Sequence, residues 1–190
     1  QKKREFHFKD NKRHGLMTFY HDNGQKNWEG NYKDDKKDGL WTWWYEDGQK
    51  NSERNFKDGE MHGLRTWWYE NGQKNRKEHY KDGIPDGLWT KWDENGKKDR
   101  EEHYKDGEFD GLVTYWNKNG QKTYEGHYKY GKRDGLVTHL NEGQKLSEDN
   151  YKDGKKDGLY TFWHKNGTMS IKGNFKNGVE EGKWIHWQYG

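Results

Sequence analysis

Cysteine is absent from these 190 residues, which excludes disulfides and thiolate metal sites and leaves the redox compartment open. Apolar residues are scarce, 26% hydrophobic against 36% charged, with a mean hydropathy of -1.76. No apolar run approaches the length of a membrane span. The chain opens Gln1-Lys2-Lys3 without methionine, so a processed or trimmed start would hide any targeting segment and the localisation stays unassigned. Charge of one sign is also missing. The 36 basic and 33 acidic residues interleave to a net +3. A nucleic-acid binder would gather its positive charge into a stripe, so nucleic acid is not an expected partner and a mixed, solvated surface is.

Aromatic residues, by contrast, are abundant: 12 Trp, 13 Tyr and 7 Phe. Disordered chains are poor in such rings, and each ring buries a large area. The supply is too small for two packed layers and suits a single-layer sheet stiffened by aromatic ladders.

The order of the chain is set by a repeat. Gly-Leu recurs at Gly15, Gly39, Gly63, Gly87, Gly111, Gly135 and Gly158, with Gly-Lys at Gly182. The spacing is 24 residues except in one 23-residue unit, where the turn around Asn141, Glu142 and Gly143 is one residue short. Each unit carries two turn signals. Asn-Gly or Asp-Gly, as at Asn23-Gly24, Asp47-Gly48 and Asn71-Gly72, suits a two-residue type I′ hairpin turn. Asp-Gly-x-x-Asp-Gly, as from Asp58 to Gly63 with His62 in the place of the second Asp, predicts a longer loop to the next hairpin. Strand-length segments rich in Thr and aromatics lie between them. The predicted fold is all-β: an elongated single-layer antiparallel β-meander of about sixteen strands, built from eight 24-residue hairpin repeats. It forms one continuous array over residues 1–190, with a partial unit at 1–14, full units starting near 15, 39, 63, 87, 111, 135 and 158, and a partial unit at 182–190.

The run Tyr124-Glu125-Gly126-His127-Tyr128-Lys129-Tyr130-Gly131, followed by Gly135 and Thr138, resembles the YEGxWxxGxxxGxG pattern of MORN repeats. Trp28-Glu29-Gly30-Asn31-Tyr32 and Ile171-Lys172-Gly173-Asn174-Phe175 are weaker copies. The Asn-Gly-Gln-Lys turn and the period look most like the MORN-variant repeats of bacterial proteins, and the resemblance covers the whole chain. Arg54, Glu78, Glu102 and Asp149 stand where the motif has glycine, so the close backbone packing it implies does not extend to those units. The resemblance implies protein association, in some cases membrane-lipid contact. The bacterial variants also occur in antitoxin-like and surface-exposed proteins.

Strand alternation assigns two faces. One carries Thr18, Thr42, Thr66, Thr90, Thr114, Thr138 and Thr161, together with Trp44, Trp68, Trp92, Trp116, Trp163 and Trp187. Every unit must meet its neighbours in the same way, so this near-constant face is the expected structural ladder. The other face varies: Met17, Trp41, Arg65, Trp89, Val113, Val137, Tyr160 and Trp184 at one position, and Phe19, Trp43, Trp67, Lys91, Tyr115, His139, Phe162 and His186 at the next. Variation on a regular frame is how repeat proteins encode recognition. The expected partner-binding residues are therefore Trp41, Trp43, Trp67, Tyr69, Trp89, Tyr115, Tyr160 and Phe162.

Other signals are weaker. His79, His103 and His127 share one slot, but successive copies stand on the order of 9.6 Å apart, too far to share an ion. The Glu29, Glu53, Glu101, Glu125 and Glu148 ladder offers no distinctive carboxylate pair for catalysis. A Thr ladder on a twisting meander does not give the flat array that ice binding requires. No enzyme, cofactor or metal is expected. The function expected is a non-catalytic scaffold for a protein partner. Carbohydrate or lipid-surface binding, or a spacer stacking end to end into a filament, are the alternatives. Gln1-Lys2 follows the consensus turn and Tyr189-Gly190 falls at it, which reads either as a segment of a longer array, the favoured reading, or as end-to-end self-association.

Overall fold

The computed structural model describes residues 3–188, so the hairpin-tip reading of Gln1-Lys2 and Tyr189-Gly190 lies outside the described residues. All regular structure among them is strand. The chain divides into two compact units between Gly96 and Lys97. The first holds β1 (Arg4–Glu5), β2 (Phe8–Lys9), β3 (Lys12–Arg13), β4 (Gly15–Tyr20), β5 (Lys26–Lys33), β6 (Lys36–Trp44), β7 (Lys50–Lys57), β8 (Glu60–Trp68), β9 (Lys74–Lys81), β10 (Ile84–Pro85) and β11 (Gly87–Trp92). The second holds β12 (Lys98–Lys105), β13 (Glu108–Trp116), β14 (Lys122–Lys129), β15 (Lys132–Asn141), β16 (Gln144–Lys152), β17 (Lys155–Trp163), β18 (Met169–Lys176) and β19 (Val179–His186). From β4 to β9 and from β12 to β19, each strand pairs antiparallel with the next, giving two meanders of hairpin repeats.

The two turns exchange the roles expected of them. Lys57 pairs with Glu60 across Asp58 (φ 52°) and Gly59 (φ 94°). Two left-handed central residues make this the type I′ turn. At the Asn-Gly tip only Gly24 is left-handed (φ 90°). There the His21 amide donates to the Gln25 carbonyl at 2.8 Å, and the Gly24 amide donates to the His21 carbonyl at 2.9 Å. This is the three-residue loop that combines a type I turn with a left-handed glycine. The Asn23 Oδ1 atom accepts the Gln25 amide at 2.9 Å and so ties the loop to its own side chain. The long loop expected over Asp-Gly-x-x-Asp-Gly is not formed. Strand β6 runs through it, with Gly39 (φ 71°) at a bulge. In the short unit, Glu142 (φ 50°) and Gly143 (φ 81°) turn between paired Asn141 and Gln144. Losing one residue has converted that tip to the two-residue type.

Three rows of side chains cross the strands on one face. In the central row of the first unit Met17, Gly30, Trp41, Arg54, Arg65 and Glu78 stand each directly opposite the next. In the second unit the row is Glu102, Val113, Gly126, Val137, Asp149, Tyr160 and Gly173. The apolar core lies here. Trp41 is 2% exposed, and Val113 and Val137 are fully buried beneath Tyr124, Phe109, Tyr115, Tyr128 and Tyr151. A single layer buries these positions because rings in the two flanking rows fold over them.

The motif glycine is the socket for a bulky neighbour. A Cβ at Gly30 would fall 2.2 Å from the Trp41 ring, and one at Gly173 the same distance from Trp184. The Trp41 indole N–H then reaches the Asn31 carbonyl at 3.0 Å. Where the motif glycine is Glu78, Glu102 or Asp149, a carboxylate is buried instead and a cation meets it: Arg65 at 3.5 Å, Arg100 at 3.5 Å and Lys156 at 2.6 Å. Burying a charge is tolerable only with such a partner.

The opposite face carries the threonines, buried and directly opposite Glu29, Glu53, Glu101, Glu125 and Glu148. Those glutamates are paired to lysines three residues earlier: Lys26, Lys50, Lys98, Lys122 and Lys145. The expected division of labour is thus corrected. Constancy marks the threonine face, but the core is on the variable face, where large and small residues compensate across strands.

Candidate functional site: the recessed aromatic face

Each unit has a recess on the three-row face. The first unit's has a volume of about 940 Å³ and is lined by Arg65, Trp67, Tyr69, Arg76, Tyr80 and Trp89, among others. The second unit's is about 390 Å³, over Tyr160, Ile171, Phe175 and Trp184.

Of the residues expected to meet a partner, Trp41 is corrected. At 2% exposure it is a core side chain that presents no surface to bind. Its ring lies 5.1 Å from Trp28, 4.9 Å from Tyr32 and 5.7 Å from Trp43. Trp43 and Trp67 are half-buried in the flanking row, on either side of Ser52. The guanidinium of Arg54 sits over both rings, at 4.4 and 4.6 Å. Trp89 lines the recess 5.2 Å from the Tyr80 ring, and its indole N–H donates to the His79 carbonyl at 2.9 Å. Tyr69 has a joining role as well, its hydroxyl donating to the Trp92 carbonyl of the next repeat at 2.9 Å. Tyr45 does the same to Trp68 at 2.8 Å, and His21 meets the Trp44 carbonyl at 3.1 Å. In the second unit Tyr115 stacks on Tyr124 at 5.3 Å, and Tyr160 lies 5.9 Å from both Phe175 and Trp184. Phe162 is half-buried between Ser147 and Ile171.

The expected ladder residues Trp44, Trp68, Trp116 and Trp163 are half-buried, each with a lysine over its ring: Lys26 at 5.5 Å, Lys50 at 5.8 Å, Lys98 at 5.6 Å and Lys145 at 5.9 Å. Trp92 is half-buried too, whereas Trp187 is 40% exposed beyond the end of β19. The histidine slot is a backbone tether. His103 bonds the Leu112 carbonyl at 2.9 Å, as Asn55 does Leu64 at 2.7 Å and Asn150 does Leu159 at 2.8 Å.

Electrostatics distinguish the recessed face further. The Tyr104 hydroxyl, 3.3 Å from Glu102, is pushed up to about 12 by burial and by that carboxylate. Tyr80 is raised in the same way, by burial and by Glu78. Burial and the charge of Arg65 lower Arg54, and burial and Arg54 lower Lys37. Strand alternation puts Arg65 and Lys91 on this face, and Arg76 pairs with Lys91 there, so the three share one sign on one surface. Counting charges face by face, rather than along the chain, would have shown it.

The MORN repeat variant family model matches residues 13–34, 37–58, 61–82, 85–106, 109–130 and 156–177. Between the last two matches lies the stretch that contains the shortened turn at Glu142 and Gly143. No curated protein matches the chain.

Proposed function

Because this chain belongs to the MORN repeat variant family, we propose that it is a non-catalytic repeat scaffold that grips a protein partner with its recessed aromatic face. The observation that carries this reading is the pair of recesses on the face whose side chains differ from repeat to repeat. A constant frame with a varied, partly open surface is the arrangement by which repeat proteins select partners. Half-buried Trp, Tyr and Arg are also the side chains that dominate interface energetics.

A sugar-stacking surface is less well supported. Stacking needs a free ring face, whereas Trp43 and Trp67 are covered by Arg54, and Trp43 also leans on Trp41. Catalysis is not part of the proposal, because the buried carboxylates Glu78, Glu102 and Asp149 are each held by a cation.

Site-specific photocrosslinking tests the reading. A benzophenone amino acid replaces Trp67 or Phe162 on the recessed face, or Trp44 or Trp163 on the threonine face, and the protein is irradiated in its native extract. Recessed-face probes should yield a discrete adduct that excess unlabelled protein competes away. Equal crosslinking from both faces, or none from Trp67 and Phe162, overturns it.

A further inference from the structure

Positive charge is concentrated on one stretch of the recessed face. In the first unit this face carries Lys37, Arg54, Arg65 and Arg76 against the single buried carboxylate Glu78. Lys37 lies over the Trp41 and Phe56 rings at 4.5 and 4.9 Å, and Lys91 stands directly opposite Arg76. Arg13, over Tyr32, is already bonded to Asp35 at 2.9 Å. The second unit's recessed face is nearer to balance: Arg100 meets Glu102 and Lys156 meets Asp149, while Arg133 is held by the neutral hydroxyls of Tyr128 and Tyr151.

Arg54 and Arg65 are directly opposite one another in the ladder. Like charges so placed destabilise a sheet. Arg65 has Glu78 at 3.5 Å, and Arg76 shares that carboxylate at 3.9 Å. Among the described residues no carboxylate lies within ion-pair distance of Arg54, and the Nε atoms of Arg54 and Arg65 are buried without a hydrogen-bond partner. One carboxylate thus serves two arginines while a third has only ring faces.

We infer that the recessed face of the first unit docks an acidic segment of the protein partner, whose carboxylates complete the Arg54, Arg65 and Arg76 cluster. This rests on the partner-binding reading above. The Arg65 side chain is only 22% exposed, so its charge sits inside the recess. A carboxylate on a flexible side chain can enter it, whereas a flat lipid headgroup layer cannot approach so closely. Single-stranded nucleic acid needs open ring faces to stack on, and Arg54 occupies those of Trp43 and Trp67. Glu70 and Glu94 stand at the hairpin-tip end of the recess and repel acid there. They confine the acidic residues to the arginine end.

The test is fluorescence anisotropy at low and moderate salt with a labelled octapeptide alternating Glu and Phe, and a matched Lys and Phe peptide. Vesicles containing phosphatidylserine and an oligothymidine are the competing probes. The acidic peptide should bind and the basic one should not. Arg54→Gln and Arg76→Gln should each weaken binding by roughly ten-fold or more, as for truncating one side of a partly buried charge pair. Lys122→Gln, on the other face of the second unit, should change it by less than about two-fold. Arg76 is 47% exposed and spares the fold if Arg54→Gln does not. The inference fails if both peptides bind alike or neither binds, if Lys122→Gln costs as much as the arginine variants, or if vesicles or oligothymidine bind more tightly with the same arginine dependence. Failure here with Trp67 crosslinking intact removes only the acidic partner, whereas failure of both removes the partner-binding reading as well.

Discussion

Gly30 offers a direct measure of how one repeat fits the next. A methyl group added there would lie 2.2 Å from the Trp41 ring, against an ordinary contact of at least 3.4 Å, so the indole must retreat by about 1.2 Å. It has little room. The ring is wedged against Trp28, Tyr32 and Trp43, and retreat breaks its 3.0 Å bond to the Asn31 carbonyl. Overpacking costs about 1–3 kcal/mol and a lost hydrogen bond about 1 kcal/mol, so Gly30→Ala should destabilise the first unit by roughly 2–4 kcal/mol. Trp41→Ala alone should cost about 3–5 kcal/mol by the cavity it leaves. In the Trp41→Ala background the atoms nearest the added methyl are gone, so Gly30→Ala should then cost well under about 1 kcal/mol, a coupling of the size that contacting residues show. Gly39→Ala serves as contrast. Nothing lies within 4 Å of its missing Cβ, but its φ is 71°, so its penalty of about 1–2 kcal/mol is conformational and should not change with Trp41. Urea unfolding followed by circular dichroism, on all single and double variants, gives the cycle. An equal cost of Gly30→Ala with and without Trp41 would refute the socket argument.

Three further outcomes are expected. Ser52→Ala should leave the fold unchanged or stabilise it by up to about 1 kcal/mol, because the Ser52 hydroxyl is fully buried with no hydrogen-bond partner; a loss of more than that in urea unfolding would show that the hydroxyl is satisfied. Asp58→Ala should cost about 1 kcal/mol and Asp58→Asn almost nothing, since φ is 52° there and Asn tolerates the left-handed region; equal melting curves would contradict the turn assignment. Tyr104, held up at about 12, binds its proton more tightly folded than unfolded, so its contribution to stability is complete below about pH 10 and is lost as pH rises through 12. Ultraviolet titration should show a tyrosinate step that moves down in Glu102→Gln, and an unmoved step would exclude the carboxylate as a cause.

The repeat period, the strands and the two faces were legible because alternation leaves no choice once a row of Thr and Trp is seen. Thr66 and Leu64 share one face, where the structure sets Lys77 and His79 opposite them. The turn types were not legible. Both tips offer an Asx or similar residue before glycine, and only the chain length between paired residues separates Asp58-Gly59 from Asn23-Gly24. The location of the core was missed for a different reason. Constancy was taken as the sign of packing, yet Met17, Gly30 and Trp41 differ because each volume answers the one opposite. Variation there is complementary. The same blind spot placed Trp41 on a binding surface and left the charges of Arg54, Arg65 and Arg76 unsummed.

The glycine socket also redraws the boundary of the interchangeable part. Gly30 belongs to one hairpin and the indole it receives belongs to the following one, as with Gly173 and Trp184. Excising a single hairpin and grafting it elsewhere in the array would separate these two hollows from their plugs. A cut through the tips, which carries the second strand of one hairpin together with the first strand of its successor, keeps them together. Shuffled or lengthened versions of this protein should therefore be spliced at the Asn-Gly loops, half a period out of step with the hairpin that the eye picks from the sequence.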